Sequence, residues 1–466
     1  MTLRRPEPIP PLTGCGRVHF LAIGGAGMSG VAEGFQERGL TVSGCDQADS
    51  ATLRELAGRG IGVAVGHDPD HLEGIDTLVV SSAIRADNPE LAEARRRGIR
   101  VLHRSLALAS LMADRQVIAV AGTHGKTTTS AMCVVGLQAA GRDPSFVLGG
   151  TVMGGTSAGI GTGPDFVVEA DESDGTFLQY PATVAVITNI EADHLDNWVT
   201  PERYAAGFAE FASGAMVRTV VLDADDPGAA RLAAELTAAG RTVITYGQSG
   251  GALARLTDIR LGPGASARLT IGDWSDTVRL AQPGVHNLYN AAAAVCAARA
   301  VGADPAAVVA GLAGFTGTAR RFQVIGRAGG VTVVDDYAHH PTEVAATIAA
   351  ARTQAGDGRV VVCFQPHLYS RTRDFADDFG QVLAAADEVV VLDVYPARED
   401  PIPGVTGGLV ADAARTHGAR VTYVPLLTDA PAVLAGLART GDLLLTVGAG
   451  SVTGLGPDVL DRLGAR

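Results

Sequence analysis

Lysine is nearly missing from this chain. Of 37 basic residues, 36 are arginine, and Lys126 stands alone. Abundant alanine, glycine and arginine beside so little lysine reads as genome composition and carries no function. The surviving lysine is informative because it sits in Gly122-Thr123-His124-Gly125-Lys126-Thr127-Thr128-Thr129. There a slim ammonium must reach between phosphate oxygens, and a guanidinium is too wide for the slot.

Other scarcities narrow the class. The five cysteines are scattered with no CxxC pair, which argues against both disulfide and zinc frameworks and fits a reducing cytoplasm. Basic charge is in deficit, with a net charge of −13, so a general nucleic-acid binder is disfavoured. No apolar run approaches a bilayer span, and no apolar signal core follows the N-terminal arginines, so membrane insertion is not expected. Aromatics make up only 5%, leaving packing to Ala, Val and Leu. With 466 residues and 47% hydrophobic content, the chain can build roughly three domains. The Pro-rich stretch Met1–Leu12 is expected to be mobile.

Strand–helix alternation predicts three α/β units with mainly parallel sheets. The first, residues 1–113, has strands at Val18–Ile23, Thr41–Cys45, Val63–Val65 and Thr77–Val80. The second, 114–321, opens at Val117–Ala121 and continues through Phe166–Val168, Val184–Ile187, Val220–Leu222 and Thr242–Tyr246. Alternation over Ala252–Leu280 reads as antiparallel strands, followed by a helix at Ala291–Ala300. The third, 322–466, has strands at Val331–Val334, Val360–Phe364, Val389–Leu392, Val421–Val424 and Leu443–Val447.

The polar motifs fall at strand ends, where such sheets bind ligands. Gly122–Thr129 follows an apolar strand and opens a helix, so its amides would face phosphates and the Thr127 hydroxyl could ligate Mg²⁺. The loop is a variant, because Val120 stands where the full pattern has glycine. Glu169–Asp174 and Thr188–Asp196 are acidic clusters on the same sheet, the second carrying His194, and both offer hard oxygen ligands. Gly25-Ala26-Gly27-Met28-Ser29-Gly30 follows the first strand, and Asp46 ends the next, a pattern that reports a diphosphate without saying which nucleotide carries it. Asp335–Pro341, Gln365–Arg371 and Asp393–Pro396 line one edge of the third sheet, and Arg320-Arg321 stands at the junction before it.

Together these strings, with His19-Phe20, His286-Asn287-Leu288-Tyr289-Asn290 and Arg320-Arg321-Phe322, make the chain resemble the Mur ligases across nearly its whole length. Within the family it is most similar to the branch that adds the first amino acid, because sibling branches usually carry Asn at the position of His124. The resemblance implies an N-terminal Rossmann-like domain, a central P-loop ATPase-like domain and a C-terminal Rossmann-like domain. It implies ATP-dependent joining of L-alanine to the lactyl carboxylate of UDP-N-acetylmuramate through an acyl phosphate, in a cytoplasmic monomer or homodimer.

The resemblance also implies residue roles. Gly122, Thr123, His124, Gly125, Lys126, Thr127 and Thr128 would hold the ATP phosphates. Asn287 and Asn290 would meet adenine, and Arg321, Asp335 and Tyr337 would reach ATP from the third domain. Thr127, Glu169 and His194 would bind two Mg²⁺ ions, or Mn²⁺ in their place. Lys126, Glu169, His194 and Asp335 form the implied catalytic set. Gly25, Ala26, Gly27, Met28, Ser29 and Gly30 would cradle the UDP diphosphate, and Asp46, Ser81 and Ser82 the sugar–uridine half. Tyr337, His367 and Arg371 would hold alanine. His339, His340 and His367 are all candidates to take the amine's proton. Two positions depart from relatives: Leu368, where many have Arg, and Ser451, where an acid or Asn is common. Siblings often add a carbamylated lysine, which a chain with one committed lysine lacks.

The nearest rival is a ligase that attaches a ready-made peptide to UDP-N-acetylmuramate. A nicotinamide-dependent oxidoreductase would explain the first glycine turn and Asp46 but nothing else. A non-catalytic ATP-gated sensor would not require His194 or Asp335.

Overall fold

The computed structural model describes residues 3–152, 155–397 and 399–465; the side chains of Ala26 and Asp196 lie outside the described set. The chain builds three sheets. In the first, strands Val18–Leu21, Val42–Asp46, Gly62–Val65, Thr77–Val80 and Arg100–His103 run parallel. Their spatial order is third, second, first, fourth, fifth. The order reverses between the first and fourth strands, so a crevice opens beyond their C-terminal ends. The glycine turn and Ser81-Ser82 lie at those two ends.

The ten-stranded second sheet has a parallel centre. Gln116–Ala121 lies between Asp165–Glu169 on one side and Val184–Ile187 on the other. Thr219–Asp223 and Val243–Gly247 follow outward. Ala254–Leu261, Ala265–Ile271 and Trp274–Leu280 are strands within the stretch where alternation predicted them. The central strand is buried on both faces, which is why it reads as a continuous apolar run. The first sheet and the parallel centre of the second belong to one compact unit (Met1–Thr257, Arg268–Val278, Tyr289–Ala313). Its main core takes Val18 and Phe20 from the first sheet and Val117, Phe166 and Val168 from the second.

The other unit (Asp258–Ala267, Arg279–Leu288, Gly314–Arg466) carries the third sheet. Strands Val331–Asp336, Leu443–Val447, Val360–Phe364, Glu388–Leu392 and Val421–Val424 are parallel in that spatial order. Gln323–Ala328 pairs antiparallel at the edge.

Four features differ from the sequence reading. Arg100–His103, Ser145–Val147 and Gln323–Ala328 are strands that local pattern did not reveal. The helix expected at Ala291–Ala300 begins at Val285, so Asn287 lies in its first turn. The helix after the first strand begins at Ala26 rather than about Met28. The N-terminal stretch, expected to be mobile, is tied down where it is described. Arg4 N donates to Asp174 O at 3.2 Å, and Glu7 and Gln179 exchange hydrogen bonds of 2.7 and 2.8 Å. Leu3, Ile9 and Leu12 pack on the main core.

Candidate active site

The second sheet puts the phosphate loop between the two acidic clusters. Ala121 pairs with Ile187 and Val120 with Glu169, so the three following loops leave one sheet edge side by side. Gly122 (φ +128°) and Gly125 (φ +81°) adopt conformations that suit glycine. A Cβ on Gly122 would collide with Thr188 Oγ1, and one on Gly125 would come within 2.6 Å of Asn290 Oδ1. Helix Lys126–Ala139 starts directly behind Gly125 without a side-chain cap, which leaves first-turn amides available to an anion.

Lys126 Nζ donates to Gly122 O (2.7 Å) and Thr123 O (3.1 Å), and lies 3.0 Å from both oxygens of the fully buried Glu172. Burial disfavours its charge. The carboxylates of Glu172, Asp171 and Glu169 more than offset this and hold the ammonium above the ordinary lysine pKa. Thr127 Oγ1 donates to Glu169 Oε1 at 3.1 Å, and Gly149 N to Glu169 Oε2 at 2.8 Å. Hydroxyl and carboxylate are thus adjacent, a hard-oxygen pair that fits Mg²⁺. His194 (φ +52°) directs Nε2 to 3.8 Å from Glu172 and 3.7 Å from Asp193.

The loop after Val184–Ile187 buttresses the phosphate loop. Asn189 accepts from His124 N at 2.8 Å and donates to His124 O at 3.1 Å. The His124 ring meets Glu191 at 2.9 Å. Thr123 Oγ1 donates to Glu191 O at 2.8 Å and lies 3.0 Å from the buried Tyr204 hydroxyl. Thr129 Oγ1 donates to Asn290 Oδ1 at 3.1 Å, which sets Asn290 against this helix. Asn287 Nδ2 instead donates to Pro283 O at 2.7 Å.

On the first sheet, Asp46 Oδ2 accepts from Gly24 N at 3.0 Å and shapes the glycine turn. Met28 is buried in the main core, and a Cβ on Gly30 would collide with Ala158. The Met28 side chain and Gly30 are engaged in packing, while Gly25 is exposed and Gly27 half-buried. Ser29 N donates to Gly25 O. Ser82 Oγ lies 3.1 Å from His103 Nε2 and 3.4 Å from Asp174 Oδ2, which brings the first sheet's switch point next to the acidic cluster. Ser81 is half-buried beside it.

In the other unit, Asp335 is buried and accepts from Thr446 (2.8 Å), Thr453 (2.8 Å) and Arg320 (3.2 Å). Arg321 lies 3.5 Å from Glu343, and the Arg320 and Arg321 guanidiniums both sit over the Tyr337 ring, at 4.6 and 5.2 Å. His339 and His367 are 5.7 Å apart, with Tyr395 stacked on His367. Burial, opposed by Glu343 and assisted by Arg371 and His367, lowers the His339 pKa to about 3, which makes it a poor acceptor for an amine's proton. Arg371 is buried. Leu368 holds φ +70°, a strained conformation for a branched residue, at the head of helix Tyr369–Leu383. Ser451 hydrogen-bonds Gln365 at 3.2 Å.

Sequence reasoning quoted Glu172 within a cluster but did not single it out, and it passed over Tyr204 and Arg104. A run of four acids does not say which one turns inward, and Tyr204 reads as an ordinary core position of helix Pro201–Ala212. Arg104 packs directly on Gly27, whose Cβ would collide with its guanidinium. A lone arginine opening a helix gives no signal in the sequence.

Three family models match the chain: Mur ligase family, catalytic domain, over residues 17–116; Mur ligase middle domain over 120–298; and Mur ligase, glutamate ligase domain, over 320–450. The UDP-N-acetylmuramate–L-alanine ligase of Kineococcus radiotolerans is 58% identical, with 97% of each chain covered. The ligase of the same name from Cutibacterium acnes is 55% identical, with 99% of each covered. The crystal structure of the UDP-N-acetylmuramate-alanine ligase of Thermotoga maritima is similar at a TM-score of 0.79 and 28% identity, covering 96% of this chain and 99% of that one.

Proposed function

The chain belongs to the Mur ligase family, and from that premise we propose that it joins L-alanine to the lactyl carboxylate of UDP-N-acetylmuramate with hydrolysis of ATP, in peptidoglycan synthesis. The observation that carries this reading is the single sheet edge where Lys126 and its glycine loop lie between Glu169–Ser173 and Asn189–His194. The carboxylate oxygen attacks the γ-phosphorus, the bond to the β,γ-bridging oxygen breaks and ADP leaves; the amine then adds to the carbonyl of the resulting acyl phosphate, gives up a proton, and phosphate leaves. Catalysis here is mainly positioning and neutralisation of charge on the transferring group.

In this proposal Gly122–Thr128 cradle the ATP phosphates, and Lys126 leaves Glu172 to meet the β- and γ-phosphates. Thr127 and Glu169 hold Mg²⁺, with His194 at a second ion; the metal, when bound, neutralises phosphate charge. Asn290 and Asn287 contact adenine. Gly25, Gly27 and the neighbouring Arg104 receive the UDP diphosphate, with Asp46, Ser81 and Ser82 toward the sugar and uridine. Arg321 and Tyr337 approach ATP, Asp335 fixes Arg320, and Tyr337, His367 and Arg371 hold alanine. His339, His340 and His367 are the candidates to accept the amine's proton, with burial weakening His339 as a base. Domain boundaries fall near residues 113 and 321, and the enzyme works where ATP and UDP-sugars are made, in the cytoplasm.

The test is phosphate release from ATP and UDP-N-acetylmuramate in the presence of either L-alanine or a murein tripeptide. Release with alanine is expected. Release with tripeptide alone would replace this reading by the peptide-attaching rival.

A further inference from the structure

A second cluster of ligating side chains lies in the first sheet, away from the phosphate loop. His19 projects from strand Val18–Leu21, Cys45 from Val42–Asp46, His71 from the turn Pro69–Leu72, and Glu90 from the first turn of helix Pro89–Arg97. Their ligating atoms all lie within 4.8 Å of one another. Glu90 is fully buried, as is Cys45, and His19 is 2% exposed. Glu90 Oε1 lies 3.0 Å from Cys45 Sγ and 3.2 Å from His71 Nδ1; Glu90 Oε2 lies 3.2 Å from His19 Nε2.

A carboxylate in an apolar layer is costly unless cations or strong donors meet it. Here it meets two imidazoles and a thiol, a mixed N, S and O set that suits zinc better than magnesium. Four donors at tetrahedral positions about 2.0–2.3 Å from a zinc ion stand roughly 3.3–3.8 Å apart, within the 4.8 Å that bounds the separations here. His19 Nδ1 is 2.8 Å from Ser43 Oγ, which turns Nε2 toward the cluster as an outer-shell partner does. His71 is 25% exposed and gives an entry path. His67, 3.4 Å from Glu90 and 3.3 Å from Cys45, stands beside the set.

We propose that His19, Cys45, His71 and Glu90 form a structural zinc-type site in the first domain. The site would lock the end of strand Val42–Asp46, and Asp46, the residue after Cys45, fixes the glycine turn through Gly24 N. Metal would therefore stiffen the nucleotide-sugar side without taking part in phosphoryl transfer.

The full chain, made without a histidine tag and stripped with chelator, is titrated with Zn²⁺ and Co²⁺ in saturating Mg²⁺. One equivalent should bind, raise the melting temperature and, with cobalt, give a thiolate charge-transfer band. Cys45→Ser should lose that band. His71→Gln, at a half-buried position that can stay folded, should weaken binding, and Ser43→Ala should weaken it about 10–100-fold. Absence of uptake by the folded wild type overturns the proposal. So does a bound cobalt without the charge-transfer band, or unchanged affinity in folded Cys45→Ser and His71→Gln.

Discussion

The ammonium of Lys126 already has partners before any phosphate arrives. Two loop carbonyls and both oxygens of Glu172 surround it at 2.7 to 3.1 Å. Because Glu172 is fully buried, the lysine also satisfies a charge that would be expensive to leave alone. The slot is sized for one nitrogen. A guanidinium carries three nitrogens in a plane and cannot approach Gly122 O and Glu172 together. Lys126→Arg is therefore expected to lower ATP turnover by roughly 10²-fold or more and to lower the melting temperature as well, as the Glu172 contact distorts. Steady-state phosphate release and a thermal melt check both, and near-normal turnover would remove the steric argument. The sequence pointed to this residue through its rarity and its place in the Gly122–Thr129 loop. Its resting partner was out of reach, since four acids stand within Glu169-Ala170-Asp171-Glu172-Ser173-Asp174 and only packing decides that Glu172 turns inward.

At the scale of elements, the site was legible wherever chemistry coincided with an apolar strand. Val117–Ala121 and Val184–Ile187 announce themselves, and the polar strings after them had to fall on one sheet edge. Strands of mixed composition were not legible. Gln323–Ala328 is a half-exposed edge strand, so no alternation betrays it, and Arg100–His103 begins with an exposed arginine at the sheet's rim. The loop after Val184–Ile187 has a second part to play that its residue types do not announce. Besides supplying His194, it clamps the phosphate loop, since Asn189 engages both backbone groups of His124. Removing that pair should cost about 1–3 kcal/mol locally. Asn189→Ala is expected to raise KM for ATP several-fold while KM for the nucleotide sugar stays within about twofold, because the first sheet's turn is untouched. Equal rises in both constants would show that the clamp acts on the whole molecule instead.

At the scale of the molecule, the N-terminal stretch joins what local sequence pattern separates. Proline at residues 6, 8, 10 and 11 suggested a loose end, yet these residues cannot form a helix and can lie extended along a surface. Glu7 does so by exchanging two hydrogen bonds with Gln179, and Arg4 reaches Asp174 beside Ser82. Leu3, Ile9 and Leu12 add apolar contact with a core shared by the first two sheets. Gln179 is nearly buried, so replacing it strands the Glu7 backbone. Gln179→Ala should cost about 1–3 kcal/mol, which corresponds to roughly 2–8 °C in the melting temperature of a unit this size. Deleting residues 1–9 should cost at least as much, with loss of the leucine and isoleucine packing. The two changes are not independent: once the strap is gone, Gln179 has no Glu7 to hold, and its substitution should become nearly silent in a double-mutant cycle. An undiminished penalty for Gln179→Ala in the truncated chain would mean that the strap is not what this glutamine supports.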